Sequence, residues 1–300
     1  TLLAPPPPAG GVPLLQFLLL ATRRGDFSGG MASFRAMDSL GHLLCRIHDA
    51  RARTVGDPAF GAPDASRLLA PDHLESLADA PPPAEPAAGD AGTTQLCVLD
   101  AEGNAVSINT SLGYNAGVFS GRWGFPLNNA LSCFDPRPGR FESLEPGKAR
   151  YTGCAPVVGL RDGAAALVAG APGGARITAA LGIPLLGWAR LGMSPQEAVE
   201  VPRFDAVGRA IFFGARVGEE VEASLRSAGW EVRRSARPHG AIGRAYLLAR
   251  GPDGWTAGLD PVHARRPGVI ERVAGRGPRG AGQVRGAARH LAQRPRLEVD

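Results

Sequence analysis

The stretch that decides the fold reads Gly92-Thr93-Thr94-Gln95-Leu96-Cys97-Val98-Leu99-Asp100, then Ala101-Glu102-Gly103-Asn104, then Ala105-Val106-Ser107-Ile108-Asn109-Thr110-Ser111-Leu112. Residues 94–100 and 105–112 are strand-like, and the four residues between them predict a hairpin turn. Ahead of the hairpin, residues 78–92 are rich in Ala, Pro, Gly and acidic side chains without periodicity, which predicts an exposed linker. Thr93 therefore stands where a linker meets a strand. A threonine hydroxyl is a poor nucleophile until a base takes its proton. A chain break after Gly92 gives Thr93 a free α-amino group, with a reference pKa of about 7.7–8.0, on the same residue as the hydroxyl. Cleavage there creates nucleophile and base together. Gly92 allows the backbone geometry that internal attack requires.

Working outward, residues 164–169 read as a buried strand leading into Ala171-Pro172-Gly173-Gly174 and a helix to about Arg190. Ser194-Pro195-Gln196-Glu197 is a capping box with Pro at the first helical position, so a helix starts there. A helix over 219–227 and strands near 230–234, 245–249 and 255–259 follow. Upstream, the stiff run Pro5-Pro6-Pro7-Pro8-Ala9-Gly10-Gly11 precedes a helix over 13–21. A second helix is expected over 31–53, where Phe34, Met37, Leu40, Leu44 and Ile47 mark one buried face. Gly56-Asp57-Pro58 ends that region. Strands paired by hairpins, with helices packed on them, predict a layered α+β sandwich. Beyond residue 272 the chain turns Gly/Arg-rich and aperiodic, and 273–300 is expected to be a disordered tail.

Bulk properties narrow the function. The chain has 300 residues, 44% of them hydrophobic, with 33 Lys and Arg against 28 Asp and Glu. Arg supplies nearly all the positive charge, Lys148 being the only lysine, and most arginines are scattered. A nucleic-acid binder concentrates such charge on one face or helix, so no nucleic-acid partner is expected. Cys45, Cys97, Cys133 and Cys154 lie far apart with no CxxC pair, which argues against a zinc site. No apolar run reaches the roughly 18 residues of a membrane helix. The apolar stretch 12–21 lacks the charged lead and cleavage site of a signal peptide.

The pattern around Thr93 resembles the start of the small subunit of gamma-glutamyltranspeptidases. Thr93-Thr94-Gln95, Val98-Leu99-Asp100 and Gly103-Asn104-Ala105-Val106-Ser107 carry the likeness. It continues, in order, through Gly124-Phe125-Pro126-Leu127-Asn128-Asn129, Pro156, Asp162-Gly163 and Pro172-Gly173-Gly174-Ala175-Arg176-Ile177. Gln196-Glu197-Ala198-Val199, Pro202-Arg203-Phe204 and Leu259-Asp260-Pro261 extend it. Pro6-Pro7-Pro8-Ala9-Gly10-Gly11 and the run from Asp49-Ala50-Arg51 to Gly56-Asp57-Pro58 look like the end of the family's large subunit. The likeness covers about residues 1–272. It implies residues 1–77 as a large-subunit remnant, 78–92 as the linker ending at the cleavage site, and 93–272 as the small-subunit region.

The resemblance implies an αββα N-terminal-nucleophile hydrolase, made as a proenzyme that cuts itself between Gly92 and Thr93. The two products stay packed together. The activity implied is transfer of a gamma-glutamyl group from glutathione or a similar amide to water or an acceptor amine, with no metal or organic cofactor. A compartment outside the cytoplasm is also implied. Thr93 matches the nucleophile, and Gly173 and Gly174 match the backbone N–H pair that holds the oxyanion, in accord with the free donors of a helix start. Ser111 stands where the family has a threonine that supports the nucleophile, and keeps the hydroxyl. Gly113 replaces a substrate-binding asparagine. Asn129 closes the Leu-Asn-Asn run, after which Cys133 occupies the place of an acidic residue that pairs with the substrate's α-ammonium. A neutral thiol cannot balance that buried charge. Thr152 and Gly153 replace paired serines near the oxyanion. No residue matches the family's carboxylate-binding arginine, since Arg23 and Arg24 come too late in the pattern. These losses fall on substrate recognition, so a relaxed acylase, or a non-catalytic relative acting as a structural or binding protein, are the competing expectations.

Overall fold

The computed structural model describes residues 1–80, 93–113, 116–236, 242–251 and 254–261. Gly92, most of the expected linker and the expected tail 273–300 lie outside the described residues. The chain opens with strand β1 (Leu2–Leu3) and helices α1 (Gly11–Arg24), α2 (Phe34–Thr54), α3 (Ala65–Leu68) and α4 (Pro71–Asp79). Strands β2 (Thr93–Leu99), β3 (Ala105–Ser111), β4 (Val157–Arg161) and β5 (Ala164–Gly170) follow, then helices α5 (Ile177–Leu191) and α6 (Pro195–Glu200). The chain continues with β6 (Phe204–Val207), β7 (Ala210–Phe213), α7 (Glu219–Ser227), β8 (Glu231–Arg234), β9 (Tyr246–Gly251) and β10 (Gly254–Leu259). The fold class is α+β.

An antiparallel sheet in the order β1-β4-β5-β9-β10 forms the centre. Helices α1, α5 and α6 cover one of its faces. Leu14, Leu181, Leu185 and Val199 from the helices meet Val157, Leu167, Leu247 and Ala249 from the strands in one core. The β2–β3 hairpin lies against the sheet through β5 and β9. A second core joins α1, α2 and α5 to a small sheet of β6, β7 and β8, with Phe17, Met37, Leu40, Phe204, Phe213 and Trp230 among its members. Residues 1–80 are thus built into the same body as residues 93–261: they supply β1 to the central sheet and helices to both cores.

The expected helices are present with shifted ends. The first begins at Gly11 rather than Pro13 and runs to Arg24. The second begins at Phe34 rather than Met31, since Ser33 caps it by accepting from the Ala36 N–H. Helix α4 reaches Asp79, so the first two residues of the expected linker are helical. Ser194 and Glu197 form the capping box with both of its hydrogen bonds.

Two family landmarks distant in sequence meet in the interior. Arg203 and Asp260 are both fully buried and form an ion pair, and Arg203 also donates to Val199 O at 2.8 Å. Burial pulls the Arg203 guanidinium below its ordinary value against the opposing pull of Asp260. Removing one member of such a pair leaves an uncompensated buried charge, which costs about 3–5 kcal/mol. Asp260→Ala is therefore expected to lower the unfolding free energy by about that amount in urea denaturation.

Candidate active site

The β2–β3 hairpin is antiparallel with Thr93 opposite Ser111. Its faces are the reverse of the usual amphipathic strand. Thr93, Gln95, Cys97, Ser107, Asn109 and Ser111 point toward the central sheet and are half-buried, while Leu96, Val98, Val106 and Ile108 are exposed. The polar face binds β5 through its carbonyls. Ser107 Oγ donates to Ala169 O at 2.8 Å, and two residues on, Asn109 Nδ2 donates to Ala171 O at 3.3 Å. A Cβ on Gly170 would sit 2.2 Å from the Gln95 side chain, so the bare backbone of Gly170 is what lets Gln95 lie on the strand. β3 therefore advances in step with the chain leaving β5 as far as Asn109 and Ala171. At that end Thr93 Oγ1 donates to Ser111 Oγ at 3.2 Å, and the Gly113 N–H donates to the same oxygen at 3.1 Å.

The turn after β5 is built backbone against backbone. Gly173 and Gly174 have φ of 153° and 58°, a pairing that L side chains strain to adopt. The Arg176 N–H donates to Gly173 O at 3.1 Å, closing the turn just before α5. Thr152 and Gly153 come alongside through a parallel bridge between Ala9 and Thr152, with the Thr152 N–H on Pro8 O at 3.0 Å. A Cβ on Gly153 would lie 2.3 Å from Gly174 O. From the other side, Arg244 N–H donates to Pro172 O at 3.2 Å, and Gly243 touches Pro172 and Gly173 too closely for any side chain. Asn129 joins the end of β3, its N–H donating to Leu112 O at 3.3 Å, and opens the 3₁₀ turn Ala130–Cys133 that ends in half-buried Cys133.

Thr93, Ser111 and Asn129 thus gather at one end of the hairpin, and Gly173, Gly174 and Gly153 gather at the turn that follows β5. The Thr152 hydroxyl accepts from the Cys154 N–H of its own loop at 3.3 Å. The side chains named here carry no fixed charge, and burial pushes the Cys97 thiol up, keeping it neutral. An anion forming in such a site is balanced by oriented N–H groups rather than by a counter-ion. Sequence reasoning missed Gln95, Ser107, Asn109 and Gly243. The first three were signalled by polar residues at every second position of both strands.

A sequence model of the gamma-glutamyltranspeptidase family matches residues 1–270. The chain belongs to that family. It is 32% identical over 264 residues to an acylase ACY 1 proenzyme from a Pseudomonas species, covering 85% of this chain and 47% of the relative. It is 34% identical over 196 residues to the glutathione hydrolase proenzyme of Pseudomonas aeruginosa, covering 58% of this chain and 35% of that one. The chain thus spans about half the length of the first of these relatives and about a third of the second. Among solved structures, gamma-glutamyltranspeptidase from Pseudomonas nitroreducens complexed with L-DON matches with a TM-score of 0.53 at 25% identity, over 59% of this chain and 97% of that one. Cephalosporin acylase from Bacillus halodurans matches with a TM-score of 0.71 at 20% identity, over 87% of this chain and 49% of that one, a likeness of fold.

The contact between Gly153 and Gly174 gives a direct test of how tightly this corner is built. Gly153→Ala forces its Cβ onto a carbonyl oxygen, and such overpacking costs about 1–3 kcal/mol. A shift of the urea midpoint equivalent to that loss is expected, whereas Gly121→Ala, with open space around it, should leave the midpoint within error.

Proposed function

We propose that this chain carries the nucleophile of an acyl-transferring amide hydrolase that processes itself before Thr93. The observation that supports this most is the Thr93–Ser111 hydroxyl pair at the start of a strand, on a hairpin that docks through Ser107 and Asn109 on the chain leading into the left-handed Gly-Gly turn. In processing, Thr93 Oγ attacks the Gly92 carbonyl, the Gly92–Thr93 amide C–N bond breaks, and the freed nitrogen takes the hydroxyl proton. Water then hydrolyses the ester, leaving a Gly92 carboxylate and a free Thr93 amine. In turnover that amine accepts the Thr93 hydroxyl proton as the oxygen attacks a substrate amide. The N–H groups of Gly173 and Gly174 hold the oxyanion, Ser111 Oγ orients the nucleophile, and the leaving amine departs with the proton. Water or an acceptor amine resolves the ester.

The substrate class on this reading is a small amide, glutathione or another gamma-glutamyl or acyl amide, with Asn129, Cys133, Thr152 and Gly153 on the acyl-binding side. Cys133 in the place of an acid favours acyl groups without an α-ammonium. The two products stay associated because residues 1–80 share a sheet and two cores with the rest. We read the whole as αββα, with the exposed apolar face of Leu96, Val98, Val106 and Ile108 meeting a further layer.

Intact-mass analysis is expected to find pieces of 92 and 208 residues that co-purify, with a new N-terminus at Thr93. A single chain after long incubation, indistinguishable from Thr93→Ala, refutes the processing step. For substrate choice, gamma-glutamyl and glutaryl anilides differ by the α-amino group alone. The protein should discriminate weakly between them. Cys133→Asp should favour the glutamyl substrate by about 1.5–3 kcal/mol, the worth of a hydrogen bond to a charged group. A strong glutamyl preference in the unmodified protein contradicts this assignment of Cys133.

A further inference from the structure

Behind the Gly173–Gly174 turn lies a buried charge with no part in the chemistry above. Asp205, in β6, is fully buried. Its Oδ1 accepts from His48 Nε2 of α2 at 2.9 Å, and His48 is itself buried. Its Oδ2 has no hydrogen-bond partner among the described residues and faces Arg176 Nε at 3.8 Å. Phe212, the cross-strand partner of Asp205, supplies the second contact: the Arg176 guanidinium stacks 4.4 Å above its ring centroid. Arg176 therefore rests on the Asp205–Phe212 pair with one face on a carboxylate and another on an aromatic ring. The buried Cys45 thiol also lies near Asp205, but burial, and secondarily Asp205 itself, push it up to about 12, so it adds no charge.

Arg176 is also the residue whose own N–H closes the turn on Gly173 O at 3.1 Å. Holding its side chain holds the peptide plane that fixes Gly173. A buried carboxylate needs a compensating cation, and Arg176 is the cation that faces it. Ion pairing and ring stacking at once suit a planar guanidinium and not an ammonium. We propose that Asp205 is a positioning residue: with His48 behind it, it clamps Arg176 and so sets the aim of the Gly173 and Gly174 N–H groups. The clamp links α2, in the region that precedes the proposed cleavage point, to the oxyanion turn that follows it. The catalytic part of this inference rests on the function proposed above; the mechanical part does not.

The test has two arms. Amide hydrogen exchange is followed by mass spectrometry on peptides spanning 170–180 in the Thr93→Ala protein, which keeps one covalent species. Asp205→Asn keeps the shape and the acceptor for His48 but removes the charge. Arg176→Gln, at a partly exposed position, covers the case in which the buried change prevents folding. Both are expected to speed exchange in 170–180 at least ten-fold, with exchange in β9 unchanged. Adding Arg176→Gln to Asp205→Asn should add nothing further, since both release one clamp. Unchanged exchange in 170–180, or additive effects, overturns the clamp whether or not Thr93 acts. In the second arm, kcat of the processed protein on an anilide is expected to fall at least ten-fold in Asp205→Asn and Arg176→Gln, with KM within two-fold and Arg176→Lys rescuing little. An altered KM with intact kcat overturns the positioning role. Absence of any Thr93-dependent turnover refutes the proposed function instead, and the exchange arm still decides the clamp.

Discussion

Ser107 and Asn109 donate from side chains to the main-chain carbonyls of Ala169 and Ala171, and the placement of everything else near Thr93 follows from these two bonds. A strand carbonyl already engaged in its ladder keeps a second lone pair, and a short polar side chain on a neighbouring layer can use it. The hairpin thus docks on the sheet through hydrogen bonds rather than through an apolar seam. Such docking fixes register. A one-residue slip of β3 would turn Val106 and Ile108 onto the carbonyls and lift Ser111 away from Thr93. The same bonds explain why the hairpin's apolar residues face outward: the inner face is already committed.

The glycine turn shows a complementary constraint. Where the hairpin meets the sheet through side chains, the turn meets its neighbours through bare backbone. Gly153 and Gly243 approach it from two sides at distances no Cβ permits. Close approach without side chains leaves N–H groups near a helix start unscreened and rigidly held. A pocket so made can favour developing negative charge, because the donors are already oriented and need no reorganisation. The shape of that corner is sensitive to a single added methyl group. The Thr93–Ser111 pair is less so, because a hydroxyl-bearing residue of either size could supply the acceptor.

The sequence made some of this legible and hid the rest for physical reasons. Local signals were sufficient where the chain decides its own conformation: the Ser194 capping box, helix α7 and the hairpin at Gly103-Asn104 depend on residues within a few positions of one another. Strand β4 ends in a tight hairpin turn in which Asp162 and Gly163 both take positive φ, yet its Val157-Val158-Gly159 start shows no alternation of polar and apolar residue types although its burial alternates. Strands β6 and β7 were missed: at four residues each, and with apolar side chains on both faces of Phe204–Val207 and Ala210–Phe213, neither shows a polar-apolar alternation. The docking of the hairpin on the chain leading into the glycine turn was not legible from composition at all. It depends on contacts between residues about 60 apart.

Buried charge ties two of the family motifs together in this chain. Pro202-Arg203-Phe204 and Leu259-Asp260-Pro261 are unremarkable segments until Arg203 and Asp260 are seen to neutralise one another in the interior. Neither could change alone without stranding its partner in a medium that does not solvate ions. Asp205, two residues after Arg203, obeys the same rule with different partners, His48 and Arg176. The short strand β6 and the residue just before it therefore carry an anion and a cation on one stretch of backbone, each satisfied by a different part of the chain. One tie reaches the end of the central sheet and the other reaches α2 and the oxyanion turn. A displacement of β6 would be felt at both. That gives a small three-stranded sheet, remote from Thr93 in sequence, a direct mechanical hold on the groups proposed to stabilise the transition state.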